Sequence, residues 1–209
     1  FVSKQPTMLS AKLSNGIIIK SEHELDEPVA KKRAPIQKLM LSRADENTRA
    51  LDAISRADAI VLGPGDLYTS TFPNLLVPGI ADAIRASQAK KIFITNVMTK
   101  LGQTEGFAAS DFVREANTYL GAERGETVID TVIINTKKPA PGVLARYRKE
   151  GAVFVEPSIA ALKEIGVRTV AEALISNHVH KKAKGDSLTR SLIRHDAEKT
   201  AGVIWNLIK

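Results

Sequence analysis

The chain of 209 residues contains no cysteine. Disulfides, iron–sulfur clusters and thiolate zinc are therefore excluded, and a reducing compartment is compatible. Aromatic residues are scarce, at 5%, so aliphatic side chains must fill any core. No apolar run is long enough to span a bilayer, and no secretory leader pattern is visible. A cytoplasmic location without membrane insertion is the expectation. There is no Ser-His-Asp arrangement and no paired-carboxylate motif. His23, His178 and His180 lack metal-ligand spacing. No catalytic residue, no metal site and no required cofactor is therefore expected.

What is present reads as a globular protein. The composition is 44% hydrophobic and 25% charged, which supports a packed core. The net charge is +7. The basic residues are scattered, and no basic strand studded with aromatics accompanies them, so nucleic acid is disfavoured. A small anionic ligand fits the charge as well. The densest basic runs, Lys31-Lys32-Arg33 and His180-Lys181-Lys182-Ala183-Lys184, read as solvated loops. The chain begins at Phe1 inside a stretch that already looks structured, which reads as a piece of a longer protein.

The stretch that organises the pattern is Ala59-Ile60-Val61-Leu62-Gly63-Pro64-Gly65-Asp66-Leu67-Tyr68-Thr69-Ser70. Its apolar run predicts a strand buried on both faces. Gly-Pro-Gly ends the strand, and free backbone amides are expected near Thr69 and Ser70. Two readings stand: a turn that holds a phosphate at a helix start, or an ordinary tight strand-to-helix turn. No Gly-Lys-Ser/Thr follows, so it is not a Walker loop. The third glycine of the dinucleotide fingerprint is also missing.

Around it, strands and helices alternate. Asn15-Gly16 between apolar runs predicts a hairpin from Met8 to Glu22. Strands are predicted over Ile36–Leu41, Lys91–Asn96, Val128–Asn135 and Ala152–Val155. Helices are predicted over 47–57, from Phe72 to about Ser87, 111–120 with Ser110 as cap, 142–149, 158–165 and 195–208. The segment 167–175 stays open between strand and helix, and 176–190 reads as a polar loop. The last helix is expected to bury Ala201, Ile204, Trp205 and Ile208. The alternation predicts an α/β fold: a Rossmann-like three-layer arrangement, with a mostly parallel sheet and a local antiparallel hairpin. In such sheets ligands bind beyond the carboxyl ends of the strands. Gly63-Pro64-Gly65, Asn96 and Asn135 close three strands and should converge on one crevice. Gly65 is the glycine expected to hold a special conformation or a close backbone approach.

Gly63-Pro64-Gly65-Asp66-Leu67-Tyr68-Thr69-Ser70, followed by Pro73-Asn74-Leu75-Leu76-Val77 and Gly79-Ile80, resembles the YvcK/CofD-like family of gluconeogenesis factors. Asn96-Val97-Met98-Thr99, Gly102-Gln103-Thr104-Glu105 with Phe107, Tyr147 with Glu150-Gly151-Ala152, and Arg194-His195-Asp196 with Glu198-Lys199 and Ala201 continue the resemblance in family order. It implies a Rossmann-like fold and a cytoplasmic protein that binds a nucleotide sugar, UDP-N-acetylglucosamine in particular. It also implies ties to gluconeogenic growth, cell shape and peptidoglycan synthesis, with cell-wall or regulatory proteins as partners and a homo-oligomer as an option. The CofD branch implies instead a magnesium-using transferase that moves a phospholactyl group during coenzyme F420 synthesis. Leu-Tyr-Thr-Ser and the Arg-His-Asp ending favour the YvcK branch. The family's glycine-rich loop after its first strand is absent, so residues 1–209 read as a single α/β domain from the C-terminal part of a longer chain. The stretch 176–191 is longer than the family pattern. Ala197 stands where some relatives carry threonine, so phosphorylation there is not available.

The resemblance implies a ligand site of Gly63, Pro64, Gly65, Asp66, Thr69, Ser70, Asn96, Asn135, Tyr147 and Arg194. Tyr147 would stack on or hydrogen-bond to the nucleotide sugar, against its plain reading as a helix packing residue. Arg194 would grip phosphate with a planar fork. His195 reads as a helix cap. Asp66 reads as a turn residue, because no second carboxylate lies near it in sequence.

Overall fold

The computed structural model describes residues 1–27, 33–176 and 192–209. Most of the expected loop at 176–190, His178, His180 and most of both basic runs lie outside the described residues. The architecture is mixed α/β. A four-stranded parallel sheet is flanked by helices, and a separate three-stranded antiparallel sheet packs beside it.

The antiparallel sheet forms first along the chain. Strands β1 (Leu9–Leu13) and β2 (Ile18–Ile19) make the expected hairpin, with Ala11 opposite Ile19. Its loop, Ser14 to Gly16, carries a positive φ of 86° at Gly16 alone. It is thus a three-residue connection and not a two-residue turn with positive φ at both Asn15 and Gly16. The helix α1 (Glu22–Asp26) was not expected. Ser21 caps it by accepting from the Glu24 amide at 3.2 Å. Strand β3 (Ile36–Leu41) pairs with the other edge of β1, with Ala11 opposite Leu39.

The parallel sheet runs in the order β4-β5-β6-β7, from β4 (Ala59–Leu62), β5 (Lys90–Ile94), β6 (Thr131–Asn135) and β7 (Arg168–Glu172). The open segment at 167–175 is therefore strand. Strand β4 lies at the sheet edge and Val61 is 40% exposed, so it is not buried on both faces. An apolar run cannot distinguish an edge strand from a central one. Residues 152–155 form no strand; Phe154 makes an isolated bridge to Met98.

The helices fall on both faces. α2 is Thr48–Ser55, capped by Asn47. The helix expected from Phe72 to Ser87 is broken in two, α3 (Phe72–Leu75) and α4 (Ile80–Ala86), with Gly79 at φ 77° between them. α5 (Ala109–Tyr119) starts one residue before Ser110, and Asp111 accepts from the Ala108 amide at 2.9 Å. α6 is Pro141–Lys149, α7 is Ile159–Ile165, and α8 is Ala197–Ile208. Phe93, Val132 and Ile134 on one face of the sheet share a core with Phe112, Val113 and Ala116 of α5, and with Leu9, Ala11 and Leu39 of the small sheet. The other face presents Ile92, Ile94 and Ile133 to Leu207, Val203, Ile204 and Ile208 of α8. Trp205 turns away from that core at 59% exposure, with the Lys209 ammonium 5.3 Å from its ring centroid.

Candidate functional site

The carboxyl ends of β4 to β7 form a row, since neighbouring strands of one sheet lie about 4.8 Å apart. At the first end, Gly63 takes a φ of 79°. A Cβ there would lie 2.8 Å from the Ile94 carbonyl oxygen, so β4 leaves the sheet against the backbone of β5. At Gly65 a Cβ would meet only Ser70 Cβ at 3.4 Å and Thr71 Oγ1 at 3.5 Å, ordinary contact. The close approach expected at Gly65 is thus at Gly63. The peptide between Gly63 and Pro64 is cis.

The next residues wind into a π-helical turn, Leu67–Thr71. The amides of Ser70 and Thr71 both donate to the Asp66 carbonyl, at 2.9 and 3.0 Å. The Ser70 amide expected to be free for a ligand is therefore committed. Asp66 is not alone. Its Oδ2 accepts from the Lys100 ammonium at 2.6 Å, and the same ammonium pairs with Asp26 at the end of α1. Thr69 donates to Asp26 Oδ1 at 3.0 Å, and Gln103 Nε2 donates to it at 3.4 Å. Burial would raise the Asp26 carboxyl; the bonds and charge of Lys100, with Thr69 and Gln103, outweigh it and leave the pKa lowered. Arg33 ties the same corner together by donating to the carbonyls of Glu24, Leu25 and Gly102. The reading of Asp66 as a turn aspartate without a carboxylate neighbour is corrected here. Asp26, 40 positions earlier, is brought to it by the fold. The Ser21-x-x-Glu24 pattern is the sequence signal that marks α1 and hence Asp26.

At the second end, Asn96 follows β5 and its Oδ1 is buried with no partner among the described residues. At the third, Asn135 is buried and turned inward. Its Nδ2 donates to the Lys137 carbonyl at 2.8 Å and its Oδ1 accepts from the Leu174 amide at 3.0 Å. That side chain knits the exits of β6 and β7.

The fourth end is where Arg194 arrives. Ile175, just past β7, bridges antiparallel to His195. The Ser176 amide donates to the Arg194 carbonyl at 3.0 Å, and the Asp196 amide to the Leu174 carbonyl at 2.6 Å. The Arg194 side chain is exposed and makes no ion pair with the described residues. Tyr147 on α6 is buried against Val97, Met98, Phe154 and Ile193, and its hydroxyl accepts from the Ile193 amide at 3.2 Å. Tyr147 and Arg194 are thus joined through the backbone of one neighbouring residue. The cap of α8 is Asp196, which accepts from the Lys199 amide at 3.1 Å, and not His195. His195 is half-buried, which lowers its pKa, and its buried Nε2 has no partner among the described residues.

These features define a Rossmann-like α/β protein whose polar and glycine-bearing turns gather beyond one edge of a parallel sheet. The chain belongs to the CofD family: residues 2–175 match the family described as 2-phospho-L-lactate transferase CofD. A gluconeogenesis factor of Halalkalibacterium halodurans is 33% identical over 97% of this chain and 58% of its own length. The gluconeogenesis factor of Bacillus subtilis is 31% identical over 97% of this chain and 58% of its own. A Thermotoga maritima relative reaches 38% identity over 204 residues, 97% of this chain and 60% of its own. A crystal structure of a UPF0052 family member from Bacillus halodurans superposes with a TM-score of 0.83 at 32% identity, covering 98% of this chain and 60% of that one. The chain therefore spans about 60% of the length of these relatives.

Proposed function

We propose that the chain binds a nucleotide sugar of the UDP-N-acetylglucosamine type across the carboxyl edge of the parallel sheet, and acts as a regulator without turnover. The observation that carries this reading is Arg194, exposed and without an ion pair among the described residues, brought by the Ile175–His195 bridge to the same edge as the Gly63–Asp66 turn. A planar guanidinium at that position suits a diphosphate. Gly63, Pro64, Gly65, Asp66, Thr69, Ser70 and Asn96 would line the near side, with Asn135 and Tyr147 holding the exits and the Arg194 segment in place. The names of the relatives support a role in gluconeogenic growth. We extend this to cell shape and peptidoglycan synthesis, through cell-wall or regulatory protein partners. A cytoplasmic location belongs to the same reading; no described helix is long and apolar enough to cross a membrane. The reading requires no bound cofactor.

Calorimetric titration of the full chain with UDP-N-acetylglucosamine is the test. Arg194→Ala should weaken binding by roughly 1.5–3 kcal/mol, the worth of a charge-assisted bond, and Arg194→Lys should recover only part of it. Parental affinity in folded Arg194→Ala would refute the assignment. Phospholactyl transfer, the activity in the family's description, is the second reading. A turnover assay with a phospholactyl donor separates the two.

A further inference from the structure

Lys100 stands between two carboxylates that come from distant parts of the chain. Asp26 ends α1, beside the antiparallel sheet, and Asp66 opens the π-helical turn after β4. The ammonium donates to Asp66 Oδ2 at 2.6 Å and to Asp26 Oδ1. Gln103 lies in the same corner, 6% exposed, with its Nε2 on Asp26 and on the Leu25 carbonyl. Its Oε1 is buried and has no partner among the described residues. Thr69 fixes the Asp26 carboxylate from the other side.

Two carboxylates from separate elements that converge on one cation are the donors a hard metal ion takes. Here the centre is taken by nitrogen. A lysine ammonium is a compact charge with three donors, and the carboxylates take two of them. Burial alone would lower its pKa; its bonds to Asp26 and Asp66 outweigh that and leave it raised. The charge is therefore held across neutral pH. With the ammonium in place the pair of aspartates carries one net negative charge; without it, two. A divalent ion entering the filled site would meet a like charge within a few ångströms, in a partly buried setting where that repulsion is strong.

We infer that Asp26 and Asp66 form a cation site whose resident cation is the Lys100 ammonium, and that this filled site keeps divalent metal away from the turn at the end of β4. The consequence is a turn held in shape by a covalently attached charge, whatever the metal content of the medium. Neither statement depends on which ligand the sheet edge takes.

The experiment is titration of the full chain with Mn²⁺, followed by electron paramagnetic resonance of the free ion, with thermal melts alongside. The native chain should show no stoichiometric site. Lys100→Met keeps the side-chain volume and removes the charge; it should gain one Mn²⁺ site, at least about tenfold tighter than any binding by the native chain. Mn²⁺ should raise the melting temperature of Lys100→Met and not that of the native chain, by linkage to the folded state. Lys100→Met combined with Asp66→Asn should lose the gain. Equal Mn²⁺ binding by native and Lys100→Met chains would overturn the inference. So would a Lys100→Met chain with neither a new site nor a Mn²⁺-dependent rise in melting temperature, or a double variant that retains the site.

Discussion

At the scale of single residues, the two glycines of the Gly-Pro-Gly turn separate into different roles. Gly63 has φ 79° and a would-be Cβ 2.8 Å from the Ile94 carbonyl oxygen, which belongs to strand backbone and cannot swing aside. Gly65 has neither constraint. Gly63→Ala should therefore destabilise the chain by roughly 1–3 kcal/mol from the backbone conformation, with the contact adding to it. Gly65→Ala should leave stability within about 0.5 kcal/mol. Chemical denaturation of both variants gives the answer, and equal midpoints would contradict it. The sequence shows two glycines around a proline but not which one faces the neighbouring strand. That depends on how β4 sits against β5, a contact between residues some 30 positions apart.

At the scale of elements, the start of α8 carries a titration. His195 sits between the exit of β7 and the Asp196 cap, and burial lowers its pKa below the ordinary 6.5. The charged ring is disfavoured in the folded state, so the unfolded chain binds the extra proton more readily. This contribution to stability is complete above pH 6.5 and is lost as pH falls below that value. Replacing the ring with an apolar one, His195→Phe, should flatten the decline in melting temperature between about pH 7 and 5. Identical declines in the two proteins would exclude His195 as the cause. Elements with a local signature were legible in the sequence: the Asn15-Gly16 hairpin, the parallel strands β5 and β6, and α8 with its apolar period. Those without one were not. α1 spans only five residues, too few to show a period. Pro78-Gly79 breaks a helix that apolar spacing alone would carry through. That small polar residues close the parallel strands was legible in the sequence, but the Asp26–Lys100–Asp66 corner joins three segments that only the fold brings together.

At the scale of the whole molecule, the antiparallel sheet and the parallel sheet bury their apolar faces in one cluster. Leu39 of β3 is buried there with Phe93 of β5 and Phe112 of α5. The contact is reinforced by direct bonds, since the Leu39 amide donates to the Tyr119 hydroxyl at 3.1 Å and the Tyr119 ring stacks on Phe72 with centroids 4.2 Å apart. A shared core of buried side chains makes it costly to melt one sheet while the other persists. Leu39→Ala removes a buried side chain from the small sheet and should cost roughly 2–5 kcal/mol. The loss should register across the molecule and not at β3 alone. Trp205 offers a distant reporter, because it lies on α8, whose core is on the opposite face of the parallel sheet. Denaturant unfolding followed by far-ultraviolet circular dichroism and by Trp205 fluorescence should move to lower midpoint together in Leu39→Ala, with a single transition in each. A dichroism curve that splits in two while the fluorescence midpoint stays put would mean that the small sheet unfolds by itself, and that the shared cluster does not bind the two sheets into one cooperative unit.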